Sequence, residues 1–471
     1  MGKFRVERDP IGDVRVPANA YFGGQTARAV ENFPISGLTA PPALITATVL
    51  IKKAAAEANE FLGRLEPALA RAIVGAADEV LAGKLRTEFV VDVYQAGAGT
   101  SHNMNTNEVL ANRAAELIGE KLGSYQRIHP NDHVNMGQST NDVYPTATRL
   151  AILFALNDLL TASGGLSDRL AAKSRDFAAV LKTGRTHLQD AVPITLGQEM
   201  SGYGACMTAG VNAADTAVQG LYELNLGATA VGTGLNAGDE YTSLAVAALA
   251  RLTSLPLRPA ENRFRVTQSM GDVVTYSSAL RRIAVELSKI ASDLRLLSMG
   301  PRAGIAEVRL PAVQPGSSIM PGKVNPSVPE MVNQVCYQVY GCDATVTIAA
   351  DAGQLELNVM MPVIAWNVLH AQKILTAAMT TLRERTVQGM EADRGRAREL
   401  LDRSTAVATA LSPYLGYATT AEIAKASVAS GRAIRDIVLE RGLMTNERLD
   451  EILSADAMTR PGIVGEPKER T

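Results

Sequence analysis

Residues 271–300 read GDVVTYSSALRRIAVELSKIASDLRLLSMG. Apolar side chains recur at Tyr276, Leu280, Ile283, Leu287, Ile290, Leu294 and Leu297, at alternating spacings of four and three. That is an a/d stripe sustained through three heptads, and such a helix needs other long helices to cover it. Two neighbouring stretches carry a similar period. Residues 145–182, PTATRLAILFALNDLLTASGGLSDRLAAKSRDFAAVLK, form one candidate, with a break expected at Gly164-Gly165. Residues 353–386, GQLELNVMMPVIAWNVLHAQKILTAAMTTLRERT, form another, with a kink or interruption expected at Pro362. Three long helices in one stretch imply an up-down bundle. Alternating strand patterns are rare, so the fold class is mainly all-α.

The chain divides around that bundle into three expected domains. Residues 1–139 read as an N-terminal helical domain of shorter helices, with loops rich in Gly and Asn. Residues 140–395 hold the long helices. Residues 396–471 read as a small C-terminal helical domain whose short helices break at Ser412-Pro413 and at Gly431. Its polar end, RPGIVGEPKERT (460–471), is expected to fray.

At 471 residues the chain is long enough for a large core. A net charge of −2 with no long basic run argues against nucleic acid or an anionic membrane as the main partner. A small anion needs only a local positive site and remains open. Cys206, Cys336 and Cys342 form no CxxC, so neither a disulfide framework nor a zinc cluster is indicated. The start, MGKFRVERDPIG, carries no apolar signal segment, and the longest apolar runs are interrupted short of the ~20 residues of a membrane span. The expectation is a cytoplasmic protein.

Four polar clusters carry the candidate chemistry, each expected where a helix begins. AGAGTSHNMNTNEVLANRAAELIG (96–119) offers Thr100 and Ser101, and HPNDHVNMGQSTNDVYPT (129–146) offers Ser139, Thr140, Asn141 and Asp142. GRTHLQDAVPITLGQE (184–199) offers Thr186 and His187. The fourth, GSSIMPGKVNP (316–326), runs into Asn325-Pro326, which reads as an N-cap followed by Pro at the first helical position. Taken singly, such Ser, Thr and Asn residues are ordinarily caps, Ser317 a turn residue and Lys323 a solvated charge. Taken together, they describe helix N-termini and neutral donors suited to carboxylates.

Other motifs are rejected. In GSSIMPGKV five residues separate the glycines, where a P-loop has four, and Val324 follows the lysine. GTGLNAG (232–238) is not a dinucleotide fingerprint. His102, His129, His133, His187 and His370 show no metal-like pairing.

GSSIMPGKVNP resembles the signature loop of the fumarase/aspartase superfamily, and the resemblance extends from DPIGDVRVPANAYFG to VLERGLMTNERLDEIL. GAGTSHNMNTNEVLAN, QSTND and SVPEMVNQVCYQV are similar to the aspartase branch, whereas GRTHLQDA is shared with fumarases. Ala96 and Met361 stand where that branch commonly carries Gly and Glu. The resemblance implies a homotetramer with a twenty-helix core, five helices from each subunit, and active sites built from three chains. The 276–297 stripe is then expected to find partners across subunits.

The implied reaction is reversible deamination of L-aspartate to fumarate and ammonia, with hydration of fumarate to L-malate as the alternative. By the same resemblance Ser317 is the general base. Thr100, Ser139, Thr140 and Ser318 hold the β-carboxylate, and Thr186, Lys323 and Asn325 hold the α-carboxylate. Asn141 and His187 face the amino group, with Glu330 partnering His187. No metal, flavin, nicotinamide or pyridoxal cofactor is implied.

Overall fold

A computed structural model describes residues 3–463. Among these residues the chain forms seventeen α-helices and four two-stranded sheets, so the helical reading of the sequence holds. The C-terminal segment expected to fray lies outside the described residues from 464 onward.

The backbone divides into two compact units, each assembled from separate stretches of chain. Among the described residues, one comprises 3–160, 212–282 and 337–375; the other comprises 161–211, 283–336 and 376–463. The five longest helices are Thr140–Asp176, Leu196–Ala217, Gly271–Leu297, Ser327–Asp351 and Met361–Leu382, and each contributes residues to both units.

The first unit opens with an antiparallel hairpin, Phe4–Asp9 with Gly12–Pro17, followed by helices Gly24–Asn32, Pro42–Phe61, Pro67–Leu81 and Thr100–Leu117. A fully buried guanidinium, Arg149, donates to Asp272 at 2.6 Å and ties the 140–176 helix to the start of the 271–297 helix. The second unit contains the hairpin Leu181–Thr186 with Gln189–Thr195, and a C-terminal apolar cluster around Leu401, Leu411, Ile423, Val438 and Leu449.

Four expectations about these helices need correction. The 276–297 stripe is real, but it is already covered within one chain: Leu280, Leu287 and Leu294 have no exposed surface, and Leu297 has 5%. It is the chain's own core, so it does not require a partner subunit. The 140–176 helix runs unbroken through Gly164-Gly165. At Gly165 a Cβ would lie 2.4 Å from Arg383 Nη1, so close packing explains that glycine. Of the two alternatives at Pro362, the kink is overturned and the interruption holds: the helix begins only at Met361, and Pro362 occupies its second position, where its missing N–H has no partner to lose. Pro413 likewise lies inside Ala408–Leu415, which ends at Gly416, while Gly431 terminates the next helix in the left-handed conformation as expected.

The Thr140–Asp176 helix is also long and apolar enough to cross a membrane, contrary to the expectation that every apolar run is too short. Half of its most apolar stretch is buried inside the chain.

Because Leu287 is sealed within the chain, Leu287→Asp is expected to cost more than about 4 kcal/mol by burying an unpaired charge. Far-ultraviolet circular dichroism and size-exclusion chromatography should show loss of folded protein. Well-folded single chains would instead place Leu287 at a subunit boundary.

Candidate active site

The first unit positions Thr100, Ser139, Thr140 and Asn141 at two helix N-termini. Thr100 is the first residue of its helix and follows Gly99, whose φ of +85° favours glycine. A Cβ at Gly99 would lie 2.1 Å from the Tyr144 ring, so the Thr100 helix start rests directly on the Tyr144 ring. Ala98 N–H donates to Val359 O at 2.8 Å and holds the preceding turn. The Thr100 hydroxyl donates back to Gly97 O at 3.3 Å.

The 140–176 helix begins with a reciprocal cap. Ser139 Oγ accepts from Asn141 N–H at 3.2 Å, and Ser139 N–H donates to Asp142 Oδ1 at 2.9 Å. Ser139 therefore does cap, yet its hydroxyl proton is left over for a ligand. Thr140 Oγ1 accepts from Asn103 Nδ2 at 3.1 Å, which likewise leaves its own proton to donate. Asn141 Nδ2 donates to Ala230 O at 2.8 Å. That bond turns the Asn141 carbonyl oxygen into the available acceptor, suited to an ammonium group.

Asp142 anchors this arrangement. It is fully buried and also accepts N–H bonds from Gly227 at 3.0 Å and Thr229 at 2.9 Å. Those bonds fix the loop whose Ala230 carbonyl holds Asn141. Burial pushes the Asp142 carboxyl up to about 7, against the pull of its three N–H donors and of Lys52.

Lys52, Asn103 and Asp142 are part of this site without having been assigned roles from sequence. The signal for Lys52 was present: Thr48, Lys52 and Asn59 stand in phase with the apolar stripe of the 42–61 helix, and all three are buried. A lysine at a core position is rarely idle.

The second unit carries the remaining candidates. Residues 316–325 form a loop closed at its base: Gly316 N–H donates to Lys323 O at 2.8 Å, and Asn325 Nδ2 donates to Gly316 O at 2.8 Å. A Cβ at Gly316 would meet Lys323 O at 2.5 Å, so this glycine permits the closure. Gly322 adopts φ +78° at the far end. Within the loop Ser317 Oγ accepts two backbone N–H bonds, from Ile319 at 3.2 Å and Met320 at 3.0 Å.

Asn325 is not the helix cap expected from the sequence. The following helix starts at Ser327, its first carbonyl acceptor is Pro326 O, and the Asn325 side chain fastens the loop instead. Ser317 is half-buried, and Ser318 beside it is exposed. Lys323, Asn325 and Glu330 share the wall of a cavity of about 1140 Å³ with Arg295 and Arg396.

Thr186 and His187 do not begin a helix. They form the tip of the Leu181–Thr195 hairpin, where His187 and Leu188 have φ of +55° and +59°. Such a two-residue turn favours Asn-Gly, so His-Leu is held there under strain. The base of the hairpin is rigid: Arg185 donates to Glu307 at 3.0 and 3.1 Å, and Lys182 pairs with the same buried carboxylate at 3.2 Å. No hydrogen bond joins His187 to Glu330 among the described residues of the single chain. Nor is any group of three or more His, Cys, Asp or Glu side chains there placed to hold a metal.

Comparison with known proteins adds a second line of observation. A family model described as "Lyase" matches residues 12–341, and one described as "Fumarase C C-terminus" matches residues 407–460. The chain is 48% identical to an aspartate ammonia-lyase from a Bacillus species over 98% of both chains. It is 48% identical to the aspartate ammonia-lyase of Escherichia coli (strain K12), over 97% of this chain and 96% of that protein. Among solved structures, the cobalt-bound fumarate lyase:delta crystallin from Brucella melitensis matches with a TM-score of 0.94 and 50% identity, covering 98% of this chain and all of that one. The class II fumarase from Schistosoma mansoni matches with a TM-score of 0.93 and 37% identity, covering 97% of this chain and 99% of that one.

If the hairpin tip is strained, Leu188→Gly should stabilise the protein by about 1 kcal/mol, since the side chain is 73% exposed and little packing is lost. The denaturant midpoint should rise. A fall would mean that Leu188 packs in the native assembly.

Proposed function

The chain belongs to this lyase family, and on that premise we propose that it catalyses the reversible elimination of ammonia from L-aspartate to give fumarate. The observation that carries the chemistry is Ser317 Oγ receiving two backbone N–H bonds inside a loop that contains no acid. Donors aimed at that oxygen stabilise its deprotonated form, and a serine alkoxide is basic enough to remove a weakly acidic carbon-bound proton. Preference for aspartate over malate is supported by the name borne by the full-length relatives. It is also supported by Asn141, whose free carbonyl oxygen suits an ammonium group.

In this reading the Cβ proton passes to Ser317 Oγ. The released electron pair spreads into the β-carboxylate, making an enediolate with a second negative charge. The pair then returns to form the carbon–carbon double bond as the Cα–N bond breaks, and ammonia leaves with the electrons of that bond. Thr100, Ser139, Thr140 and Ser318 donate to the β-carboxylate, where each lost donor typically costs about 3–4 kcal/mol of transition-state stabilisation. Thr186, Lys323 and Asn325 hold the α-carboxylate. His187 joins Asn141 at the amino group, and Glu330 orients His187.

The working enzyme is proposed to be a cytoplasmic homotetramer in which these groups converge from three chains. The five long helices would supply the shared core. One observation favours this. On the Ser327–Asp351 helix, Tyr337 and Ile348 stand three turns apart on one face, 58% and 71% exposed, with the uncharged Gln334, Gln338 and Gly341 between or beside them. That is a face suited to another helix.

Pure protein given L-aspartate should generate fumarate absorbance rapidly, with little signal from L-malate; the reverse result would make it a fumarase. Ser317→Ala should lower kcat by at least ~10³ while leaving fumarate binding largely intact. A variant of near-normal rate would remove Ser317 from the role of base.

Sites shared between chains make a separate prediction. Thr140→Val and Ser317→Ala should each be inactive alone, yet regain activity when mixed and reassembled, because some sites then contain neither change. Absence of recovery in verified mixed tetramers would confine each site to one chain.

A further inference from the structure

A buried lysine lies beneath the hydroxyl layer of the first unit, and the mechanism above does not use it. Lys52 has no exposed surface. Its Nζ donates to Asn135 Oδ1 and to Gln138 Oε1, each at 2.8 Å, and both acceptors are neutral amides. Asn135 Oδ1 also receives Asn103 Nδ2 at 3.3 Å, and Asn103 Nδ2 donates onward to Thr140 Oγ1 at 3.1 Å. Three hydrogen bonds thus connect the ammonium group to a hydroxyl assigned to the substrate's β-carboxylate.

Buried charges are ordinarily paired with a counter-ion. Among the described residues no carboxylate hydrogen-bonds Lys52. Asp142 acts on it only at longer range, and Asp142 is already occupied by three backbone N–H groups. The neighbouring His102 is also buried, and its Nε2 is bonded to Thr48 Oγ1 at 3.0 Å; it offers no negative charge. Burial accordingly loosens Lys52's hold on its proton, down to about 7, with Asp142 opposing. The cation is incompletely compensated until an anion arrives at Thr140.

We infer that Lys52 is a positioning residue for the elimination: its charge, acting through Asn135, Asn103 and the Thr140 hydroxyl, favours the doubly charged enediolate over the ground-state carboxylate without touching either. The inference rests on the reading given under Proposed function. In a site of low dielectric such an interaction scales with the charge it meets, and that charge doubles on the β-carboxylate as the proton leaves. The effect therefore falls on kcat more than on KM.

Two variants test it. Lys52→Met keeps the length of the side chain and removes its charge. Asn135→Asp keeps Lys52 and cancels its field with an adjacent carboxylate. Two probes separate the states: fumarate for the ground-state carboxylate, and the nitronate of 3-nitropropionate, whose two oxygens carry carbanion charge as the enediolate does. In both variants kcat and nitronate affinity should fall about 30-fold, somewhat less than the loss typical of a donor in direct contact. Fumarate affinity should change by no more than about 3-fold, and melting temperature should not fall in step.

Equal weakening of both probes, or an unchanged kcat, would overturn the inference; if Lys52→Met fails to fold, Asn135→Asp decides alone. If the unaltered enzyme neither deaminates aspartate nor prefers the nitronate to fumarate, the functional reading itself fails and takes this inference with it.

Discussion

A proton on carbon can leave at neutral pH only if the charge it releases is received elsewhere, and that constraint orders the candidate site. The receiving group is a carboxylate that must accept a second negative charge. Fixed donors do this best, because they need no reorganisation as the charge grows. Helix N-termini supply such donors through unpaired N–H groups and the positive end of the helix dipole. The chain places Thr100 and Ser139–Asn141 at two such ends. It leaves the hydroxyl protons of Ser139 and Thr140 available by making those two oxygens accept hydrogen bonds from Asn141 N–H and Asn103 Nδ2.

The proposed base faces the complementary demand. A serine oxygen becomes basic only where its anion is cheap to form, and Ser317 Oγ receives two N–H bonds from its own loop. The loop keeps that geometry because its base is tied through Gly316, Lys323 and Asn325. His187 is held differently. It occupies a strained turn at the end of a hairpin whose root is locked by Glu307 to Lys182 and Arg185. Backbone strain that persists on a rigid support is a frequent mark of a functional position.

Much of this was legible in the sequence. The heptad spacing of Tyr276 to Leu297 marks a buried helix, and the polar residues before apolar runs locate the helix starts at Thr100 and Thr140. What escaped depends on tertiary contact. Gly164-Gly165 looks like a break until Arg383 is seen packed against it. Thr186-His187 looks like a helix start because the hairpin turn uses none of the residues that usually announce one. The seam around Leu287 looked like an interface because a stripe that apolar must be covered, and spacing alone does not say by which chain. Nothing in IKKAAAEAN marks Lys52 apart from Lys53 except its phase with Thr48 and Asn59.

In the proposed site, the sparing use of formal charge next to the β-carboxylate has a further physical reason. Fumarate, the product, is itself a dicarboxylate. An arginine or lysine paired directly with its β-carboxylate would bind product as strongly as substrate and slow its departure. Uniform binding of that kind gains nothing in the chemical step. Neutral hydroxyls give weaker ground-state contacts, which favours release. A cation set one layer behind them contributes through distance and so responds chiefly to the growth of charge. Burying Lys52 costs stability wherever it is protonated, since desolvation penalises its ammonium. A methionine-like side chain would fill the same space without that penalty. The retention of a charge at a fully buried position, with neutral amides as its only bonded partners among the described residues, is most economically explained by an anion that is present only during turnover.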